Sequence, residues 1–141
     1  LAVGISIAIK RLFLVTGDLS FLHDSNGLLL CSSKRPSLVI LLVDNGGGGI
    51  FNSFPLKSLP KGDFEQLFAM PQKVDQLAIA KAHEIPYRQV SCLEDFEDAI
   101  EWSISQNGPA LIRVCTIAKY DSTLRKDLRE DLTNFLHSKF K

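Results

Sequence analysis

Leu12-Phe13-Leu14-Val15-Thr16-Gly17-Asp18-Leu19-Ser20 is an apolar run that ends in a glycine, an acid and a hydroxyl residue. The chain repeats the arrangement in Leu38-Val39-Ile40-Leu41-Leu42-Val43, followed by Asp44-Asn45-Gly46-Gly47-Gly48-Gly49. Short continuous apolar runs bounded by turn residues read as strands covered on both faces, as in parallel sheets. Each run sets an oxygen-bearing side chain, Asp18 or Asn45, just past the carboxyl end of a buried strand, and the two lie 27 positions apart (18 to 45). In an open parallel sheet that edge is where ligands bind. An acid, an amide and bare glycine backbone together suit a hard cation carrying a diphosphate.

The rest of the chain alternates in the same way. Residues 1–10 read as the back half of a helix ended by Lys10-Arg11, with its front cut away. Strand one spans Leu12 to Thr16, and a turn at Gly17-Asp18 leads into a helix from Ser20 to Cys31. Asp18 or Ser20 caps that helix, and Phe21, Leu22, Leu28 and Leu29 form its apolar stripe. Strand two is Leu38 to Val43. Gly46 to Gly49 form a loop, and Ile50-Phe51 start a short helical turn. An irregular segment from Leu56 to Gly62 precedes a short helix capped by Asp63 and ending at Phe68. Helical spacing returns over 72–84, with Val74, Leu77, Ala78 and Ala82 on one side. Ile85 to Val90 and Ala110 to Thr116 read as strands. A helix over Leu93 to Gln106 turns Phe96, Ile100 and Ile104 inward and stops at Asn107-Gly108-Pro109. Asp121 to Phe140 is a polar helix with Leu124, Leu128, Leu132, Phe135 and Leu136 on its apolar face. Alternation of this kind predicts an α/β fold, a mainly parallel sheet with helices on both faces.

The 141 residues suit a single domain with a sizeable core. Sixteen basic and sixteen acidic residues cancel, which argues against nucleic acid and against membrane-surface attraction. The apolar start, Leu1 to Ile9, is too short for a membrane span and lacks the leading charge of a signal peptide. Cys31, Cys92 and Cys115 are odd in number and far apart, and read as reduced thiols in or near a core, in a reducing compartment. His23, His83 and His137 do not cluster in sequence. Trp102 and the helically spaced phenylalanines read as core. The alternating charges from Lys126 to Asp131 read as a solvated helix face.

Magnesium takes six oxygens, few of them from carboxylates. Asp18 offers a carboxylate oxygen, Asn45 an amide oxygen and Gly47 a backbone carbonyl, and two diphosphate oxygens and a water complete the shell. Bare glycine lets the chain approach a phosphate, and Leu19 and Ser20 open a helix whose first N–H groups face the anion. Gly-Asp or Asp-Asn-Gly alone is ordinary turn chemistry. Two such turns after two core-like strands, with one helix between them, point instead to a magnesium-diphosphate site. No G-x-x-x-x-G-K-[ST] occurs, and no G-x-G-x-x-G follows strand one, which argues against mononucleotide and dinucleotide sites.

Gly-Asp followed some 25 residues later by Asn resembles the thiamine diphosphate (ThDP) motif. In finer detail the stretch Gly17 to Leu28 resembles the SEPHCHC synthase family of menaquinone and phylloquinone biosynthesis, including its plant fusion members. That family has Leu-Ser after Gly-Asp, a glycine-rich loop ending in Ile-Phe as at Asn45 to Phe51, and a Met-Pro segment like Phe68-Ala69-Met70-Pro71-Gln72. Asp44 stands where the family often has Asn, and Gly46 and Gly49 where it often has Asn and Gln. The resemblance implies the C-terminal diphosphate-binding domain, spanning residues 1–141 and lacking its first strand and part of its first helix. It implies ThDP and Mg2+ as cofactors, with Asp18, Asn45 and Gly47 on the metal. Gly17, Asp18, Leu19, Ser20, Asn45, Gly47, Gly48, Ile50 and Phe51 would bind the cofactor, and Ile50, Phe51 and Phe54 would line the substrate pocket. The implied substrates are 2-oxoglutarate and isochorismate.

The catalytic glutamate belongs, by the same resemblance, to a pyrimidine-binding domain with no counterpart in these residues. A homo-oligomer is implied for the full-length protein, little turnover for this segment alone, and a chloroplast location if the source is a plant, otherwise the cytoplasm. Two other readings stay open: a non-catalytic truncated remnant, or the same domain of another ThDP-dependent 2-oxoacid decarboxylase or acetolactate synthase-like enzyme. Exposed hydrophobic surface is expected at the apolar start.

Overall fold

A computed structural model describes residues 1–54 and 59–140. Its strands are β1 (Leu12–Gly17), β2 (Leu38–Asp44), β3 (Tyr87–Val90) and β4 (Ala110–Cys115). They form one sheet in the order β1-β2-β4-β3, and every neighbouring pair is parallel. The helices are α1 (Ala2–Ala8), α2 (Asp18–His23), α3 (Leu29–Lys34), α4 (Lys61–Phe64), α5 (Gln76–Ala82), α6 (Glu94–Ser105) and α7 (Ala118–Lys139).

The chain divides into two compact units. The first, Leu1–Asp44 with Gln72–Cys115, holds the sheet and α1, α2, α3, α5 and α6. Successive strand residues point to opposite faces, and the two faces carry separate cores. Leu38, Ile40, Leu42 and Leu111 pack with Phe21, Leu28, Cys31, Ala80 and Ile85 on one face. Val39, Ile112 and Val90 pack with Ala99, Phe96, Ile100 and Trp102 of α6 on the other. This is the two-faced parallel α/β fold expected from the alternation of elements. Leu111 is fully buried in the first core, so Leu111→Ala is expected to cost about 2–5 kcal/mol of stability. A shift in the denaturant midpoint checks it.

Several elements differ from expectation. β2 is buried as predicted, but β1 is not covered on both faces: Phe13 and Val15 are 44% and 65% exposed. β1 sits at the sheet edge with β2 as its neighbour, and α6 packs over Val39, Ile112 and Val90. Ile5 and Ile7 of α1 and Ile9 just after it are exposed as well, the exposed apolar surface anticipated at the start of the chain. The helix expected over Ser20 to Cys31 is three pieces: α2, a 3-10 turn at Ser25–Leu28, and α3. Asp24, Ser25, Asn26 and Gly27 interrupt it, residues whose side chains or backbone freedom compete with helical bonding. Phe21 and Leu28 are buried, whereas Leu29 is exposed.

The helix expected over 72–84 begins only at Gln76, because Asp75 caps it by accepting the Leu77 N–H at 2.9 Å. Val74 lies before that cap and is exposed, as is Ile104 at the end of α6. Trp102 is a core residue, as read, and the Arg88 guanidinium lies over its ring, 4.7 Å from the centroid.

The second unit comprises Asn45–Pro71 and the segment from Thr116 on. It holds a 3-10 turn at Gly49–Ser53, α4 continued by a π-type turn at Glu65–Ala69, and α7. The 3-10 turn is the short helical turn expected at Ile50-Phe51. Part of the irregular segment expected from Leu56 to Gly62, residues 56–58, lies outside the described residues. The helix expected from Asp63 begins earlier, at Lys61 after Pro60. α7 packs on the 3-10 turn. Leu124, Leu128, Leu132, Phe135 and Leu136 are exposed, so its apolar stripe is uncovered within this chain. Among the described residues no helix is long and apolar enough to cross a membrane.

The three cysteines are free: Cys31 buried, Cys115 half-buried and Cys92 exposed. Cys92 thus lies outside the core position expected of it. Its thiol donates to Asp95 Oδ2 at 3.0 Å. That bond requires the protonated thiol and pushes Cys92 above the ordinary thiol range, while burial pushes Cys31 up. A thiol reagent is expected to modify Cys92 slowly for an exposed cysteine, several-fold faster after Asp95→Ala, and to reach Cys31 only on unfolding. Folded Cys31 keeps its proton where the unfolded chain has lost it. Its effect on stability is therefore absent below the ordinary value of 9.0 and becomes destabilising as pH rises above that.

Candidate functional site

The candidate residues fall in both units, and each group has its own geometry. In the first unit, the parallel register pairs Gly17 with Val43. Asp18 and Asp44, each one residue further on, therefore stand at the same carboxyl edge of adjacent strands. Gly17 occupies the N-cap position of α2 and Asp18 its first turn. Asp18 is only 4% exposed, and its Oδ1 accepts the Leu19 N–H at 2.7 Å. Asp18 thus starts the helix rather than capping it from outside, and Ser20 lies within it. A buried carboxylate is rare unless it is paired or holds a metal. His23 is exposed at the end of α2, and His83, half-buried, accepts the Ser32 hydroxyl on its backbone carbonyl.

In the second unit, the glycine loop folds against the Phe68-Ala69-Met70 segment. The Gly48 N–H donates to Ala69 O at 2.6 Å, and the Gly49 N–H to Gly47 O at 2.8 Å. Gly46 and Gly47 have φ of +83° and +137°, in the region that favours glycine. A β-carbon on Gly47 would collide with Ala69 O, and one on Gly48 with Phe68 O. Asn45 Oδ1 is buried and has no hydrogen-bond partner among the described residues. An orphaned buried amide oxygen is costly and calls for an explanation such as an ion.

Beyond the loop, Phe51 lies 6.1 Å from Phe54 and edge-on to Phe68 at 5.3 Å between ring centroids, and Phe64 stacks on Phe68 at 6.1 Å. Ile50 and Phe54 are exposed and Phe51 is half-buried. Of the residues expected to line the pocket, Phe51 and Phe54 thus join an aromatic cluster with Phe64 and Phe68. Sequence reading noticed the Phe68 to Gln72 stretch but not its structural task. The alternating Phe64-x-x-x-Phe68 spacing is the signal that it packs on something aromatic.

Within the first unit Asp18 offers a carboxylate oxygen, and within the second Asn45 and Gly47 offer an amide oxygen and a backbone carbonyl, each a hard donor of the kind a hard cation takes. Among the described residues no group of three or more His, Cys, Asp or Glu side chains forms a metal cluster.

A parallel α/β unit with a buried acid at its strand ends and a glycine loop beginning there defines a phosphate-cofactor binding domain. The chain belongs to the family of the thiamine pyrophosphate enzyme C-terminal TPP binding domain, which matches residues 1–114. It is 56% identical over 138 residues to the 2-succinyl-5-enolpyruvyl-6-hydroxy-3-cyclohexene-1-carboxylate synthase of Prochlorococcus marinus (strain MIT 9313), covering 98% of this chain and 24% of that protein. It is 52% identical over 132 residues to the synthase of the same name from Synechococcus sp. (strain CC9311), covering 94% of this chain and 23% of the relative. The chain thus spans about a quarter of the length of the curated relatives it matches. Among solved structures, a Rhodococcus jostii RHA1 thiamine diphosphate-dependent 4-hydroxybenzoylformate decarboxylase superposes with a TM-score of 0.68. It is 22% identical, over 82% of this chain and 22% of that one, and shares the fold.

Proposed function

We propose that this chain is the Mg2+ and ThDP diphosphate-binding part of a 2-succinyl-5-enolpyruvyl-6-hydroxy-3-cyclohexene-1-carboxylate synthase. The observation that carries the reading is identity above 50% with synthases of that name across nearly the whole chain. The residues fit the group. Asp18 contributes a buried carboxylate, Asn45 a buried amide oxygen in need of a partner, and Gly47 a carbonyl in a loop where side chains cannot be placed.

In this reading Asp18, Asn45 and Gly47 would hold the cation, and Gly17, Leu19, Ser20 and Gly48 would approach the diphosphate with backbone or small side chains. Ile50, Phe51 and Phe54 supply an apolar wall that keeps water from the reacting carbon. When bound, ThDP stabilises the carbanion equivalent that loss of CO2 from 2-oxoglutarate generates, for addition to isochorismate. This chain's residues anchor and orient, and the proton chemistry belongs to a pyrimidine-binding domain from elsewhere in the enzyme. A homo-oligomer completes the site, and the pathway is that of menaquinone or, in a plant chloroplast, phylloquinone.

The test is a chimera in which residues 1–140 replace the corresponding quarter of the Prochlorococcus marinus synthase. Formation of product from 2-oxoglutarate and isochorismate is expected. A folded chimera that releases CO2 from pyruvate in preference to 2-oxoglutarate, or that fails to bind ThDP, would overturn the reading.

A further inference from the structure

α7 begins beyond residue 114, where the match to the binding-domain family ends, and the cofactor reading gives it no task. Asp121 and Ser122 are half-buried, and every residue from Thr123 to Phe140 is exposed. That stretch is not polar throughout. Tyr120, Leu124, Leu128, Leu132, Leu136 and, just past the helix end, Phe140 recur at every fourth position, and all are exposed. Phe135 widens the row. Helices in proteins owe most of their stability to packing of an apolar face, and a contiguous exposed apolar surface marks an interaction site.

The spacing of the row says what fits it. At about 100° per residue, a step of four advances about 40° beyond a full turn. The row therefore runs obliquely across the helix along a ridge of residues four apart. Two ridges of this kind interdigitate when the helix axes cross at about −50°. A second copy of α7 supplies the same ridge, as a two-fold contact between identical surfaces requires.

The charges beside the row set the direction. By the same helical spacing, Arg125 and Arg129 fall on one side of Leu128 and Leu132, and Asp127 and Asp131 on the other. Lys126 and Glu130, which pair at 3.6 Å, fall on the opposite face of the helix. Where two copies run the same way about a two-fold axis between them, the basic flank of each meets the acidic flank of the other. Where they run oppositely, like flanks meet. Flanking charges choose partner and orientation in this way in paired helices.

We propose that α7 is a self-association surface: it pairs with α7 of a second copy of this chain in a parallel two-fold crossing centred near Leu128 and Leu132, with Arg129 of each copy against Asp131 of the other. The contact needs only the second unit, which contains α7, and it stands whether or not the cofactor reading does. A single helix crossing buries less than the roughly 800 Å2 per partner of a standard interface, so the dimer is of micromolar strength. The competing occupant is a segment from elsewhere in a longer enzyme, which leaves this chain monomeric.

Sedimentation equilibrium on this chain tests the proposal. Wild type is expected to pair with a Kd of roughly 1–100 μM. Leu128→Glu puts a carboxylate in the centre of the row and is expected to weaken pairing at least 100-fold. Leu128 is exposed in the single chain, so the variant keeps its fold, which circular dichroism checks. Arg129→Asp and Asp131→Arg, each alone, are expected to weaken pairing at least fivefold, because each turns both flank contacts into like-charge contacts. An equimolar mixture of these two variants is expected to pair within about twofold of wild type, since each supplies the charge that the other lacks. General damage to the surface is not repaired by mixing. A wild-type chain that stays monomeric up to about 200 μM, or that forms open-ended aggregates, overturns the proposal. So does a dimer that survives Leu128→Glu. Single reversals without effect, or without recovery on mixing, overturn the parallel crossing.

Discussion

Asp18→Ala removes Mg2+-dependent ThDP binding. The expected loss is at least 100-fold, about 2.7 kcal/mol, because the carboxylate is the one anionic group in the proposed donor set, otherwise made of an amide and a carbonyl. Magnesium dehydrates reluctantly and depends on a carboxylate to hold it in place. The effect on stability is expected to be much smaller. Asp18 is buried, and its Oδ1 accepts the Leu19 N–H at 2.7 Å. Loss of such a bond costs about 1 kcal/mol. Burial of a carboxylate is itself unfavourable, so removing it offsets part of that cost. Calorimetric titration with ThDP, with and without Mg2+, reads the first effect, and a denaturant melt reads the second. Unchanged Mg2+-dependent binding in the variant would sink the assignment of Asp18 to the metal. A large fall in stability would make Asp18 a structural acid instead.

The two apolar runs disclosed the sheet because a centrally placed parallel strand has to be apolar on both sides, and β2 satisfies that from Leu38 to Leu42. The same reasoning erred at β1. Phe13 and Val15 look like core residues in sequence, yet strand order decides whether a face is covered, and strand order is a long-range property. The break after His23 was legible in principle from Asp24-Ser25-Asn26-Gly27, but the apolar stripe on either side masked it.

At the site, the residue types and their spacing were visible: a buried acid after β1, an amide and glycines after β2. What the loop rests on was not visible. The Gly48 N–H finds Ala69 O, 21 residues away in sequence (48 to 69), and no local pattern announces such a pairing. The pairing of Arg113 with Asp44 was missed for the same reason. In sequence it is one basic residue in the strand Ala110-Leu111-Ile112-Arg113-Val114-Cys115. Only the register that places Asp44 opposite Cys115 brings Asp44 within its reach.

Gly48→Ala is the second large effect, and it separates crowding from backbone conformation. Gly48 has φ of −76°, which any residue adopts, so no conformational penalty attaches to a side chain there. The obstacle is space. The added β-carbon would collide with the Phe68 carbonyl oxygen and sit 3.0 Å from Phe51 Cδ2. Phe68 O is backbone and cannot rotate away, so the loop has to part from the Phe68-Ala69 segment. That separation breaks the Gly48 N–H to Ala69 O bond and disturbs the edge-on contact between Phe51 and Phe68. Overpacking of this kind costs about 1–3 kcal/mol, and the lost bond adds about 1 kcal/mol. Because Gly47 and Asn45 belong to the same loop, ThDP binding is expected to fall at least 100-fold alongside stability. Gly47→Ala adds strain at φ +137° to a collision with Ala69 O and is expected to be worse. Gly62→Ala is the control: a β-carbon there meets nothing within 4 Å, and the residue lies in α4. It is expected to be neutral or to stabilise by up to about 1 kcal/mol. A Gly48→Ala protein as stable as wild type, with binding intact, would show that the loop is not held against Phe68-Ala69. The tight cradle would then carry no part of the cofactor site.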